Sequence, residues 1–222
     1  MSNLKPLTLH SHNTGPNPYK VGIVLEALSV PYTVKNWDFG PAENGVKGPA
    51  YLKLNPNGRV PALEDPNTGV TAWESGACIN YLLRVYDKDN KLGPKGESEQ
   101  DKVDFDKWTF FLVSTLGPML GQRNWFINYH PTENEDARKR YLEQTQWCFQ
   151  VFEDQLAKSG GESVLKGGFS AVDAHFYAWV IFHDMAKVPV DKYPKLQNYI
   201  KTLKERPDIK AVYEKIPKGE HA

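Results

Sequence analysis

The sequence predicts an α/β domain followed by an all-α domain. Three observations carry that expectation. Strand and helix patterns alternate over residues 1–90, a Gly/Pro-containing segment at 91–96 interrupts them, and residues 97–222 show helical spacing with little alternation. At 222 residues the chain can supply two small domains with cores of their own.

The elements follow in order. Leu7-Thr8-Leu9-His10 is a short β-like run, and His12 to Pro18 is a turn-rich loop. Proline suits a first helical turn because it lacks only an N–H that the turn leaves unused, so Pro18 reads as the first helical residue and Asn17 as the N-cap. Val21, Val24, Leu25 and Leu28 then form one apolar stripe, and Tyr32 to Lys35 forms a second strand. After the turn at Phe39-Gly40-Pro41, a short helix over Ala50 to Leu54 stops at Asn55-Pro56-Asn57-Gly58. Strands at Val60 to Leu63 and Val70 to Trp73 are joined by the turn-forming Asp65-Pro66-Asn67-Thr68-Gly69, and a helix runs from Ser75 to Tyr86. The order βαβ, helix, ββα implies a mixed sheet with helices on both faces.

Beyond Leu92-Gly93-Pro94-Lys95-Gly96 the pattern is helical. Phe105, Trp108, Leu112 and Leu116 make one stripe; Tyr141, Thr145, Cys148, Phe149, Phe152 and Leu156 make another. Ala171 to Met185 is apolar nearly all round, as a helix at the centre of a bundle must be. Ser170 and Asp173 frame its start with capping-box spacing.

Composition narrows the function. Lys plus Arg and Asp plus Glu number 27 each, so the formal net charge is +0 and no strongly basic nucleic-acid binder is expected. No apolar run approaches the roughly 20 residues of a membrane span, and the start Met1 to Pro6 lacks the apolar core of a secretory leader. Cys78 and Cys148 are the only cysteines, and they form neither a CxxC pair nor a zinc set. A cytosolic location is therefore expected. His10 and His12 share one strand face without a third ligand at a recognisable spacing, so no metal is expected.

Three stretches carry chemistry. In Arg59-Val60-Pro61-Ala62-Leu63, a cis Val60–Pro61 bond would turn the Val60 N–H and C=O outward, ready to pair with another peptide backbone. In Trp73-Glu74-Ser75-Gly76-Ala77, Ser75 at a helix start can hold a carboxylate while Glu74 holds an ammonium; an ordinary helix cap needs the same residues. In Asn13-Thr14-Gly15-Pro16-Asn17-Pro18, an amide or hydroxyl donor beside a helix N-terminus would favour a bound thiolate. Asn17 and Thr14 are the candidate donors, and capping remains the alternative role for Asn17.

Taken together, these stretches, the linker and the Ser170-Ala171-Val172-Asp173 cap resemble a cytosolic glutathione transferase, over essentially the whole chain. The resemblance is to the nu class and the fungal group related to the nitrogen-regulation prion protein. It is carried by Pro16-Asn17, Lys20-Val21, Asn55-Pro56-Asn57, Arg59 to Leu63, Trp73 to Ala77 and Gly117-Pro118-Met119-Leu120-Gly121-Gln122. It implies a thioredoxin-like N-terminal domain that binds glutathione and a helical domain that shapes the second-substrate site. In that group an asparagine of the first loop contacts the glutathione sulfur, a role that falls by resemblance to Asn17.

By the same resemblance Val60 pairs with the cysteinyl backbone, Arg59 and Pro61 beside it belong to the glutathione site, Glu74 and Ser75 hold the γ-glutamyl end, and Lys47 or Lys53 holds the glycine carboxylate. Trp108, Gln122, Arg123 and Trp125 are candidates for the second substrate, although such an aromatic stripe is more often core than pocket. The loop departs from the group's Pro-Asn-Gly, since Pro18 replaces that glycine and Gly15 separates Thr14 from Pro16. Glutathione as co-substrate, a hydrophobic electrophile as acceptor and a homodimer are what the resemblance implies. Glutathione-dependent disulfide reduction or peroxide removal, and a non-enzymatic regulatory module, are the rival activities.

Overall fold

A computed structural model describes residues 4–222; part of the start read above for a leader lies outside the described residues. The chain divides into two compact units, one of residues up to Lys91 together with Glu205–Ala222, the other of Leu92–Lys204. The helical pattern of the sequence puts 97–222 in a single domain, whereas residues 205–222 group with the first unit. No local pattern announces that residues 205–222 return to the first unit.

In the first unit, β1 (Leu7–Ser11), β2 (Tyr32–Asn36), β3 (Ala62–Asp65), β4 (Val70–Trp73) and β5 (Glu220–His221) form one sheet in the order β4-β3-β1-β2-β5. β1 lies parallel to β2, with Leu7 opposite Tyr32, and antiparallel to β3, with Leu9 opposite Leu63. β5, which the sequence does not predict, adds parallel to the outer edge of β2. β3 starts two residues later than expected because Pro61 has no N–H for the ladder; pairing begins with Ala62 opposite Trp73. The β3–β4 turn is an Asx turn, in which the Asp65 side chain accepts the Asn67 N–H at 2.8 Å.

α1 (Pro16–Ala27) and α3 (Ser75–Tyr86) pack against each other, and α9 (Pro207–Lys215) packs on α1. α1 is buried nearly all round as a result. Gly22 permits the close approach of α9, since a Cβ there would stand 2.9 Å from a Val212 methyl. α2 (Pro49–Leu52) begins one residue and ends two residues before its predicted bounds. Its Tyr51 joins Trp37, Val46 and Ala62 in a second apolar cluster against which Val60 packs.

The second unit holds α4 (Glu99–Phe111), a π-helical turn at Leu112–Leu116, α5 (Gly117–Asn128), α6 (Glu135–Ser159), α7 (Ala171–Val180) and α8 (Pro194–Lys204). Phe149, Phe152, Leu156, Phe176 and Tyr199 form its fully buried centre. α7 is shorter than the predicted Ala171 to Met185. After a 3-10 turn at Ile181–His183, the chain reverses at Lys187, whose φ is 51°, and the Val188 N–H closes on the His183 carbonyl. Asp173, fully buried, accepts N–H bonds from Val164 at 2.7 Å and Ser170 at 2.8 Å, so one carboxylate ties the helix start to the preceding loop. No helix among the described residues is long and apolar enough to cross a membrane.

Candidate functional site

A cavity of about 390 Å³ opens in the first unit, lined by Asn17, Asn55, Asn57, Arg59, Val60, Pro61, Glu74 and Ser75. The Asn55–Pro61 loop forms one wall, and its shape follows from how its backbone polar groups are used. The Arg59 carbonyl turns inward, accepting the Tyr51 hydroxyl at 2.8 Å and the Asn55 amide at 2.6 Å. Asn55 Oδ1 accepts the Asn57 N–H at 2.9 Å. Gly58, at φ 59°, makes a turn that a side chain would block, because a Cβ would stand 2.7 Å from the Val46 carbonyl.

The Val60–Pro61 bond is cis. Among the described residues nothing pairs with the Val60 N–H or C=O, although the Arg59 carbonyl before it is bonded and Ala62, beyond Pro61, is paired in the sheet. A buried or half-buried main chain is normally paired, so an unpaired pair of groups on a cavity wall is a ready edge for an extended peptide.

The start of α3 supplies another part of the lining. Glu74 stands at its N-cap position with φ 68°, a left-handed conformation that costs a non-glycine residue on the order of 1–3 kcal/mol and is found mostly at functional sites. Ser75, the first helical residue, is buried and lines the cavity. Behind Ser75 lies Lys20 of α1, 1% exposed, with Nζ 3.4 Å from Ser75 Oγ. Burial pushes the Lys20 ammonium down to about 7, against an upward pull from the Glu74 charge. A carboxylate, a buried cation and a helix N-terminus thus meet within one wall. Together they suit a ligand group bearing an ammonium and a carboxylate on one carbon.

Asn17 does not cap α1. Gly15 occupies the N-cap position and Pro16 is the first helical residue, so both Pro16 and Pro18 fit in the first turn, where their missing N–H groups leave no bond unmade. Asn17 is thereby a helical residue on the cavity wall. Thr14 is outside the lining: its N–H and hydroxyl lie 3.1 and 3.0 Å from His12 Nδ1, and His12 stacks on Phe39.

Neither lysine expected at the glycine carboxylate lines the cavity. Lys47 Nζ donates to the Asn57 carbonyl at 2.6 Å and so braces the loop from outside, while Lys53 is exposed at the end of α2. Arg59 is the basic residue on the wall. Asn55 and Asn57 enter the sequence reading only as a helix stop and as part of the resemblance. The internal Asx geometry of Asn-Pro-Asn-Gly is the signal that could have placed them.

Within the second unit, Trp108 packs its ring on Phe111 and Phe176, with centroids 5.5 and 6.1 Å away, and belongs to the core. Arg123 is buried, and its guanidinium donates to the Ala186 and Arg138 carbonyls at 3.1 and 2.9 Å, which makes it a strut. Gln122 is exposed on α5, and Trp125, 48% exposed, stacks on Tyr129.

Known proteins match this arrangement. Residues 5–84 match the family described as "Glutathione S-transferase, N-terminal domain", and residues 122–215 match "Glutathione S-transferase, C-terminal domain". The glutathione S-transferase-like protein OpS6 of Beauveria bassiana is 35% identical over 96% of each chain. The protein URE2 of Debaryomyces hansenii is 37% identical over 68% of this chain and 49% of its own length. The crystal structure of the glutathione transferase URE2P6 from Phanerochaete chrysosporium, in complex with oxidized glutathione, superposes with a TM-score of 0.87. It is 36% identical and covers 98% of this chain and 99% of its own. The first unit is accordingly thioredoxin-like and is followed by a helical domain, and the chain belongs to the glutathione S-transferase family.

Proposed function

We propose that the protein is a glutathione transferase that binds glutathione in the cavity of the first unit, stabilises its thiolate and transfers it to a hydrophobic electrophile. The observation that carries this reading is the unpaired Val60 main chain in the same cavity as the Glu74–Ser75 start of α3. Val60 pairs with the cysteinyl N–H and C=O of the tripeptide. Glu74 takes the γ-glutamyl ammonium; Ser75 and the first N–H groups of α3 take its carboxylate. Arg59 reaches the glycine carboxylate.

Asn17, in the first turn of α1, donates its amide to the sulfur, and the α1 N-terminus adds its positive potential. Each effect is worth on the order of 1 kcal/mol, enough together to lower a thiol by roughly one to two pK units. The thiolate then attacks an electrophilic carbon, a C–S bond forms, and the leaving group departs with its electron pair. We extend the proposal to a cytosolic homodimer.

Calorimetric titration with glutathione tests the reading, together with Glu74→Gln. Wild type binds at sub-millimolar levels and the variant about tenfold or more weakly, as loss of a charge-assisted bond requires. No binding at millimolar glutathione would end the proposal. A second reading, disulfide reduction with two glutathiones, is favoured by the oxidized glutathione in the URE2P6 complex. Relative rates on a small disulfide and an aryl halide rank the two. Tight glutathione binding with no turnover on either would favour a regulatory module, a role that the similar nitrogen regulation fragment of the yeast prion protein URE2P suggests.

A further inference from the structure

Lys20 is a cation whose position the proposed chemistry leaves unexplained. An ammonium seldom lies inside a protein, because removal from water costs several kcal/mol without compensation. Here the side chain is 1% exposed, rises from the middle of α1's first turns and ends against Ser75 Oγ at 3.4 Å. It does not line the cavity, whereas Ser75 does. In its ammonium form, the one a bound carboxylate favours, Lys20 has donors and no acceptor, so the Ser75 oxygen is the acceptor in this contact. The hydroxyl proton of Ser75 is then the part left to point elsewhere, and the cavity is the side on which Ser75 is open.

We propose that Lys20 is a positioning residue for the carboxylate end of the γ-glutamyl group: it acts through Ser75, turning that hydroxyl outward as a donor and placing a positive charge one atom behind it. The inference rests on the glutathione reading of the cavity and deepens it. Glu74 holds the ligand ammonium, and the Lys20–Ser75 pair supplies the complementary charge for the carboxylate on the same carbon. The site thereby discriminates an α-amino acid end from a simple amine. The lowered proton affinity of Lys20 fits such a role, since a carboxylate arriving at Ser75 draws a proton back onto the ammonium.

Around Lys20, Glu74 on the α3 side is the charged group whose field acts on it. Cys78 of α3 stays a thiol, pushed up to about 12 by burial. On α9, Lys215 faces Glu26 at 3.3 Å, and on β1 the His10 ring, bonded to Glu64 and Trp37, is lowered by burial against the upward pull of Glu64.

The experiment compares S-methylglutathione with S-methyl-4-aminobutyryl-cysteinylglycine, which keeps the amine and lacks the neighbouring carboxylate. S-methylation keeps the thiol proton out of the measurement. Both are titrated calorimetrically into wild type and Lys20→Met at about pH 8, in buffers of different ionisation enthalpy. Wild type is expected to prefer the carboxylate-bearing peptide and to take up a fraction of a proton with it, and none with the analogue. In Lys20→Met the preference shrinks about tenfold, binding of the analogue is retained, and proton uptake disappears.

An unchanged preference in Lys20→Met overturns the proposal. So does the absence of proton uptake in wild type, a measurement that stands even if the variant fails to fold. A wild-type chain that binds neither peptide overturns the glutathione reading of the cavity itself.

Discussion

Replacing Asn17 separates its chemical role from its structural one. Asn17 is the second residue of α1, half-buried on the cavity wall, and not the cap. Asn17→Asp keeps the size and shape, replaces an N–H donor by a carboxylate, and puts negative charge in the first turn of a helix. That placement favours folding by about 0.3–1 kcal/mol, so the melting temperature is expected to hold or rise. The bound thiolate feels the opposite effect. It loses a hydrogen bond to a charged group, about 1.5 kcal/mol, and gains repulsion from a charge roughly 5 Å away, about 3 kcal/mol at an effective dielectric of about 20.

The thiol pKa should therefore rise by about three in Asn17→Asp and by about one in Asn17→Ala. The assay is the ultraviolet absorbance of the bound thiolate followed against pH, with turnover of an aryl halide at fixed pH alongside. Turnover should track the thiolate population, falling about tenfold for every tenfold loss of the anion at that pH. If both variants keep the wild-type thiol pKa and rate, the sulfur is stabilised by something else and the assignment of Asn17 fails.

Lys20 makes stability depend on pH. Its folded value of about 7 lies below the ordinary 10.5, so the folded chain sheds a proton that the unfolded chain keeps; stability is fully present above about 10.5 and is lost as pH falls through 7, by a few kcal/mol at most. Urea melts from about pH 7 to 10 should show the rise, and Lys20→Met should flatten it. Asp173 is raised by burial to about 6, so its contribution has the opposite slope: largest below about 3.8 and diminishing as pH rises through 6. Asp173→Ala should nevertheless cost about 2–4 kcal/mol by thermal melting at neutral pH, because the Val164 and Ser170 N–H groups lose their buried acceptor. Gly22→Ala should cost about 1–3 kcal/mol by forcing α9 from α1, and Val212→Ala should recover part of that loss in the double variant, readable in denaturant titrations.

The alternating half of the sequence is legible because its signals are local. Leu7-Thr8-Leu9, Val70 to Trp73 and the Asp65–Gly69 turn carry their structure in period and turn chemistry, and Ser75 opens a helix as its sequence context predicts. Asn17, Arg59, Val60, Pro61, Glu74 and Ser75 line one cavity although they come from three separate stretches. The start of α1 is ambiguous in sequence because two prolines compete for the first turn, and no local signal says which one the chain places first. Lys47 and Lys53 belong to a loop whose path depends on Gly58 and the Val46 carbonyl, a tertiary contact. Lys20 looks like a surface residue in sequence, since an apolar stripe on one face gives no warning that the start of α3 will meet its side chain. The two-residue strand β5 has no pattern at all; only the open edge of β2 brings it into existence.

That last strand has a consequence for synthesis. The unit containing the cavity is discontinuous, with α9 and β5 supplied by residues 205–222 after the whole helical unit has been made. A ribosome releases the chain N-terminus first, so β2 leaves the exit tunnel with a bare edge and α1 with an uncovered apolar flank. Both wait for the entire intervening unit to be translated. Nascent chains stalled before residue 205 should therefore recruit chaperones at β2 and α1, and release of the final segment should let them go.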